Sequence, residues 1–357
     1  MSHQGFTKSG PGEFERPQEP VGPVPYRIDP VVLHTGPDDR LTGILTTPEG
    51  EEARPAVLLI PGSGKNDRDE TVCGHRPFLV WADAMSRAGF VVLRLDDRGV
   101  GGSTGDKDDL THDALLADVR MALGWLARHG GNVSADELFA IGHSEGALIA
   151  AAAHESLAGV VLLGGPGVPG DVLAVAQAEG LSRAAGVDAA VAAYEAAMNT
   201  EVFAAVKRHE DHATRRSVVT AILRRHLEHW PGLSHTAGEL DAAAAAMAER
   251  VCAPVFRAFL ASTPATVLAR VTCPVLALFG ERDLQTDPAL NAEAARESLV
   301  ASPSPSVTVQ VVPGVNHLFQ RCATGAIEEY EQIAETIAPA VLERVIAWLT
   351  AVRAAKR

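Results

Sequence analysis

The sequence predicts an α/β fold: a mainly parallel central sheet with helices on both faces, interrupted by an all-helical insertion. Three observations predict it. Apolar runs of strand length alternate with segments of helical spacing along most of the chain. Most of those runs end in glycine-containing loops. One stretch, 168–265, breaks the rhythm with alanine-rich sequence and no run of strand type. Strands alternating with helices through short joints pair in parallel and are covered on both sides. In such sheets the chemistry gathers at the carboxyl ends of the strands.

In chain order, "LTGILTTP" (41–48) alternates and reads as a leading strand. "PAVLLIPGSG" (55–64) is a continuous apolar run into a glycine turn, as for a strand buried on both faces. "PFLVWADAMSRAG" (77–89) has helical spacing and a glycine stop; "FVVLRLDDRG" (90–99) is again a strand into a loop. "THDALLADVRMALGWLARHG" (111–130) reads as a helix with Thr111 as its N-cap. "LFAIGHSEG" (138–146), "GVVLLGGPG" (159–167), "CPVLALFGERD" (273–283) and "VTVQVVPGVNH" (307–317) are further strand-into-loop units, and 331–352 supplies closing helices. The expected organisation is a flexible tail over 1–25, a core formed by 26–167 and 266–357, and the helical insertion 168–265.

Composition narrows the function classes. Of 357 residues, 46% are hydrophobic and 21% charged, a globular balance, and the net charge is −14. So acidic a chain repels phosphates, which argues against nucleic-acid or anionic-lipid partners. No window approaches the ~18–20 apolar residues of a membrane helix. The N-terminus is rich in Pro, Gly and charge and has no apolar core of signal type, so the expected location is cytoplasmic. Cys73, Cys252, Cys273 and Cys322 are scattered and read as free thiols.

The motif that carries chemistry is G-H-S-E-G, 142–146, at a strand-to-helix joint. A turn that tight strains the serine backbone and lifts its hydroxyl clear of the sheet, with helix N–H groups behind it. "GGSTG" (101–105) fits the same pattern around Ser103, but a polar run, "DKDDL", follows it and no helix starts there. Ser144 is therefore the expected nucleophile. It needs a base, and the base an orienting acid, at the ends of later strands in the order acid then histidine. Asp283 fills the first slot, with Glu281 and Asp287 as rivals, and His317 the second. The expected oxyanion donors are the backbone N–H of Glu145 and that of Ser63 in "PGSG", with Gly64 as the fallback. Asp97 and Arg98 read as a pair holding their loop. The charged run "KNDRDE" (65–70) reads as a solvated face, with an entrance lining or a substrate contact as the alternatives. His209/His212 and His226/His229 have chelating spacing, but no flanking Cys or carboxylate order supports a metal site.

With Ser144 in GHSEG, Asp283 in GERD and His317 in VNHLF standing in that chain order, the sequence resembles the α/β-hydrolase superfamily over about residues 40–350, the insertion excepted. "PGSGKNDRDE", "LRLDDRGVGGST" and "PGVNHLFQ" resemble a bacterial serine esterase branch related to dienelactone-hydrolase-like and peptidase-like enzymes. The resemblance implies the α/β-hydrolase fold and hydrolysis of a small-molecule carboxylic ester, with no metal and no organic cofactor. It also implies that 168–265 acts as a cap. The chain departs from the pattern where many esterases carry a histidine before the loop glycine and this one has Pro61, which leaves the second oxyanion donor open. Thioesterase, lactonase and aminoacyl-peptidase activity share the triad, a non-catalytic binding protein on the same scaffold is the alternative of another class, and a homodimer is left open as the assembly.

Overall fold

A computed structural model describes residues 15–106, 111–130, 132–232 and 236–356. The start of the expected tail, most of the DKDDL run and His235 lie outside the described residues. The elements run β1 (Tyr26–His34), β2 (Arg40–Pro48), β3 (Arg54–Ile60), α1 (Pro77–Arg87), β4 (Val91–Leu95), α2 (His112–His129), β5 (Val133–His143), α3 (Glu145–Ala152) and β6 (Gly159–Leu163). Five helices follow: α4 (Gly170–Ala184), α5 (Ala189–Arg208), α6 (His212–Glu228), α7 (Ala237–Val251) and α8 (Pro254–Ala261). The chain closes with α9 (Pro264–Leu268), β7 (Val275–Gly280), α10 (Pro288–Val300), β8 (Val307–Val312), α11 (Ile327–Tyr330) and α12 (Pro339–Lys356).

Among the described residues the sheet has eight strands in the order β1-β2-β4-β3-β5-β6-β7-β8. β1 and β2 are antiparallel to their neighbours, and β4 to β8 pair in parallel around β3. β6 and β7 are buried along their whole length, as continuous apolar runs require. Alternate residues feed two cores. Ala56, Leu58 and Ile60 face α2, α3 and α10, through Leu123, Leu126, Ile149 and Leu299. Val57 and Leu59 face α1 and α12, through Phe78, Trp81, Met85 and Val345. Thr111 caps α2 as expected, its Oγ1 accepting from Ala114 N at 3.2 Å.

The contacts divide the chain into two compact units, Met1–Gly167 with Ala265–Arg357, and Val168–Pro264. The second unit has its own core, built on Met198, Phe203, Val206, Leu223 and Leu260. Among the described residues no helix is long and apolar enough to cross a membrane.

Four local readings need correction. Residues 26–34 form an edge strand that the sequence pattern hid, because Pro30 sits inside it and only one face is buried. Residues 331–338 are not helical; the regular helix starts at Pro339. The tail does not hang loose as far as Tyr26. Arg16 donates to the carbonyls of Ile333 and Glu331, both at 2.8 Å, and Gln18 donates to Ile337 O at 2.7 Å. Finally, Arg98 pairs with Asp118, both bonds at 2.7 Å, while Asp97 accepts from Asn66 N at 2.8 Å, so these two hold the loop through other partners than each other.

One buried histidine makes stability pH-dependent. His75 is fully buried, with Nδ1 2.9 Å from Thr336 Oγ1 and Nε2 2.7 Å from the carbonyl of Tyr330. Burial pushes its pKa down to about 4. The unfolded chain, with an ordinary value near 6.5, takes up the proton first. The stabilisation is therefore complete above about pH 6.5 and is lost as pH falls through about 4. Urea unfolding across that window is expected to show His75→Gln losing less stability than the wild type, by about 3 kcal/mol. Equal slopes for the two proteins would assign the effect to other groups.

Candidate functional site

β5 ends at His143 and α3 begins at Glu145, so Ser144 alone turns the chain. Its φ of 53° and ψ of −121° lie outside the regions that L side chains favour. Ser144 N donates to Leu163 O on β6 at 2.8 Å. The flanking glycines are required by contact. A Cβ on Gly142 would stand 2.1 Å from Gly146 O, and one on Gly146 would stand 2.4 Å from the carbonyls of Ile60 and Pro61. The helix can therefore start this close to the strands only because both positions lack side chains.

Asp283 follows β7 and is buried. Its Oδ1 accepts the N–H groups of Gln285 and Thr286, each at 2.8 Å, and its Oδ2 lies 2.7 Å from His317 Nδ1. Burial opposes ionisation of this carboxyl. The adjacent His317 and the two backbone N–H groups overcome that opposition and hold its pKa below the usual carboxylate range. His317, also buried, sits in a loop closed by Asn316, whose Oδ1 accepts from Leu318 N and Gln320 N at 3.0 Å. The Asp283 bond fixes a proton on Nδ1 and leaves the Nε2 lone pair available.

The structure brings Ser144 and His317 to one edge of the sheet. A Cβ on Gly62 would lie 3.2 Å from Ser144 Cβ, and one on Gly164 would lie 3.2 Å from His317 Nδ1. The His317 ring packs on that of His143, next to the serine, with centroids 4.7 Å apart. Among the described residues no hydrogen bond joins the Ser144 hydroxyl to the His317 ring.

The rivals are occupied elsewhere. Ser103 Oγ accepts from Thr42 N at 2.9 Å and donates to Asp96 O at 3.0 Å, tying β2 to the loop after β4. Glu281 accepts from Gly314 N at 2.8 Å, and Asp287 caps α10 through Ala289 N at 2.9 Å. His226 Nε2 bonds Glu201 at 2.9 Å and His229 Nδ1 bonds Arg225 O at 2.9 Å. Among the described residues no group of three His, Cys, Asp or Glu is set to hold a metal ion.

At the loop after β3, Gly62 N–H is taken by Glu70 Oε1 at 2.8 Å. The N–H groups of Ser63 and Gly64 make no hydrogen bond among the described residues, and both residues are exposed. Glu145 follows the serine, and its carboxylate lies 2.8 Å from His112 Nε2. That bond raises the His112 pKa above its ordinary value.

Sequence reasoning missed three residues here. Thr286 Oγ1 lies 2.8 Å from Gly164 O, 3.1 Å from Asp283 Oδ2 and 3.0 Å from His317 Nδ1. Its signal was a threonine three positions after the acid, as in a turn closed by an aspartate side chain. Glu70 and His143 are both buried and bonded to each other, so the run 65–70 does not end as a solvated face. Asp69 in the same run is buried against Arg94 and Arg76, and burial pushes Arg94 down to about 10. Among the described residues, the non-glycine residues with positive φ are Glu70, Cys73, Ser144 and Phe319, and three of them belong to this site's segments.

The profile of the alpha/beta hydrolase family matches residues 57–330. Esterase EstD of Thermotoga maritima is 31% identical over 131 residues, which are 36% of this chain; the match spans only 31% of that protein. Among solved structures, the α/β hydrolase GrgF from Penicillium superposes with a TM-score of 0.54 at 16% identity, covering 92% of this chain and 99% of that one. An esterase of Pyrococcus furiosus superposes with a TM-score of 0.52 at 15% identity, covering 96% and 98%. At such identities the structural likeness speaks for the fold.

Proposed function

The chain belongs to the alpha/beta hydrolase family, and from that premise we propose that it is a serine hydrolase of carboxylic esters acting through Ser144, His317 and Asp283. The observation that carries the reading is the buried Asp283–His317 bond of 2.7 Å at the edge where Ser144 stands on a strained turn. In this reading His317 Nε2 takes the Ser144 proton as Oγ attacks the ester carbonyl. The N–H of Glu145 and that of Ser63 or Gly64 receive the oxyanion. His317 then returns the proton to the leaving alcohol, and water releases the acid from Ser144 by the same route in reverse. The esterase name of the Thermotoga relative favours esters over the other acyl bonds that the same residues could cleave. The helical unit Val168–Pro264 takes the part of a cap that selects substrate, and the protein works in the cytoplasm.

The test is a panel of nitrophenyl esters of graded acyl length, run beside a thioester, a lactone and an aminoacyl anilide. A fluorophosphonate probe reports the nucleophile by mass. Ester turnover with the label on Ser144 is the expected result. A folded protein that stays unlabelled and inert on the whole panel would show the scaffold to be a binding protein instead.

A further inference from the structure

His143 stands between two acceptors. Its Nδ1 lies 2.9 Å from Glu70 Oε1 and its Nε2 lies 3.0 Å from the backbone carbonyl of His317. A neutral imidazole has one N–H and can satisfy only one of them. The other nitrogen would then face an oxygen lone pair inside the protein, where an unmade hydrogen bond costs ~1–3 kcal/mol. An imidazolium satisfies both. We propose that His143 is held as an imidazolium by Glu70 and is a positioning residue, joining the oxyanion loop, the serine turn and the His317 loop into one hydrogen-bonded unit. The positioning role rests on the hydrolase reading above; the charge state does not.

The links are concrete. The same Glu70 oxygen that holds His143 also accepts Gly62 N–H at 2.8 Å, which leaves the next N–H groups of the loop, at Ser63 and Gly64, for a ligand. The other side of the ring holds the main chain of His317 itself, while the two rings pack at 4.7 Å. Glu70 keeps this post with a φ of 51°, a conformation that costs energy outside glycine. The titratable groups facing the His143 ring are Glu70 after β3, Asp283 after β7 and His317 after β8. Burial opposes charging the ring, but Glu70 outweighs it and raises the pKa above the ordinary histidine value.

Nitrogen-15 NMR of histidine-labelled full-length protein between pH 6 and 9 reads the charge state directly. The expected signature is a ring with both nitrogens protonated at pH 7, assigned by its loss in His143→Gln. A singly protonated His143 at pH 7 overturns the proposal. In Glu70→Gln the ring is expected to lose its second proton at a lower pH than in the wild type. Ester turnover by this variant should fall ~10²-fold in kcat with KM within about twofold, because the reacting parts lose register rather than the substrate site. Its pH profile should gain an ionisation that the wild type and the double variant Glu70→Gln/His143→Gln lack. Wild-type kcat and pH profile in Glu70→Gln would remove the positioning role. A wild type inert on every ester would sink the hydrolase reading instead, with the NMR signature still deciding the state of His143.

Discussion

Ser144→Ala is expected to lower ester turnover by roughly 10⁴- to 10⁶-fold, with KM and melting temperature almost unchanged. The size follows from the chemistry. Without Oγ no acyl-enzyme forms, and only background attack by water in a pre-shaped site remains. The lack of a stability effect follows from the geometry. The serine hydroxyl makes no hydrogen bond among the described residues, and a φ of 53° strains alanine as much as serine. The fold therefore loses nothing that it was using. Progress curves on a nitrophenyl ester, with thermal melts run in parallel, measure both quantities. Turnover within tenfold of wild type would remove Ser144 from the mechanism.

Asp283→Asn should cost ~10⁴-fold in kcat, for a reason specific to this site. Oδ1 of Asp283 accepts two backbone N–H groups, from Gln285 and Thr286, at 2.8 Å. Those donors demand an oxygen, so the asparagine carbonyl must face them. The amide NH₂ is then turned toward His317 Nδ1, which has to accept. The imidazole proton moves to Nε2, the nitrogen that must take the serine proton. The variant should fold, label slowly with fluorophosphonate and bind substrate with nearly wild-type KM. A kcat loss below tenfold would mean that Asp283 does not orient the base.

Much of this architecture is legible in the sequence because the controlling forces are local. The buried strands of the parallel region read as unbroken apolar runs, since both faces are covered. Thr111 announces α2, and the chain order of Ser144, Asp283 and His317 is that of a sheet whose loops carry chemistry at one edge. What escapes reading is set by partners distant in sequence. The segment 331–338 has helix-compatible composition, yet Gln18 takes the N–H groups of Thr336 and Ile337, and Gln320 takes the carbonyl of Glu335. Glu70 looks like one more charge in an exposed run. It becomes a buried hydrogen-bond acceptor only because His143 and Gly62 meet it across the sheet edge. Pro30 disguised β1, which as an edge strand can spare the missing N–H.

The grip of Arg16 and Gln18 bears on how the protein should be trimmed. Tyr26, where the first strand starts, is the boundary that a designer of shortened variants would choose by eye. A cut there discards the anchors on the carbonyls of Glu331, Ile333 and Ile337, together with the acceptor for two N–H groups of that stretch. These belong to the same long excursion between β8 and α12 that carries His317. A cleavage between Gln18 and Tyr26 thus spares every strand while slackening the segment on which the imidazole rides, so intact secondary structure would be a poor certificate of an intact enzyme.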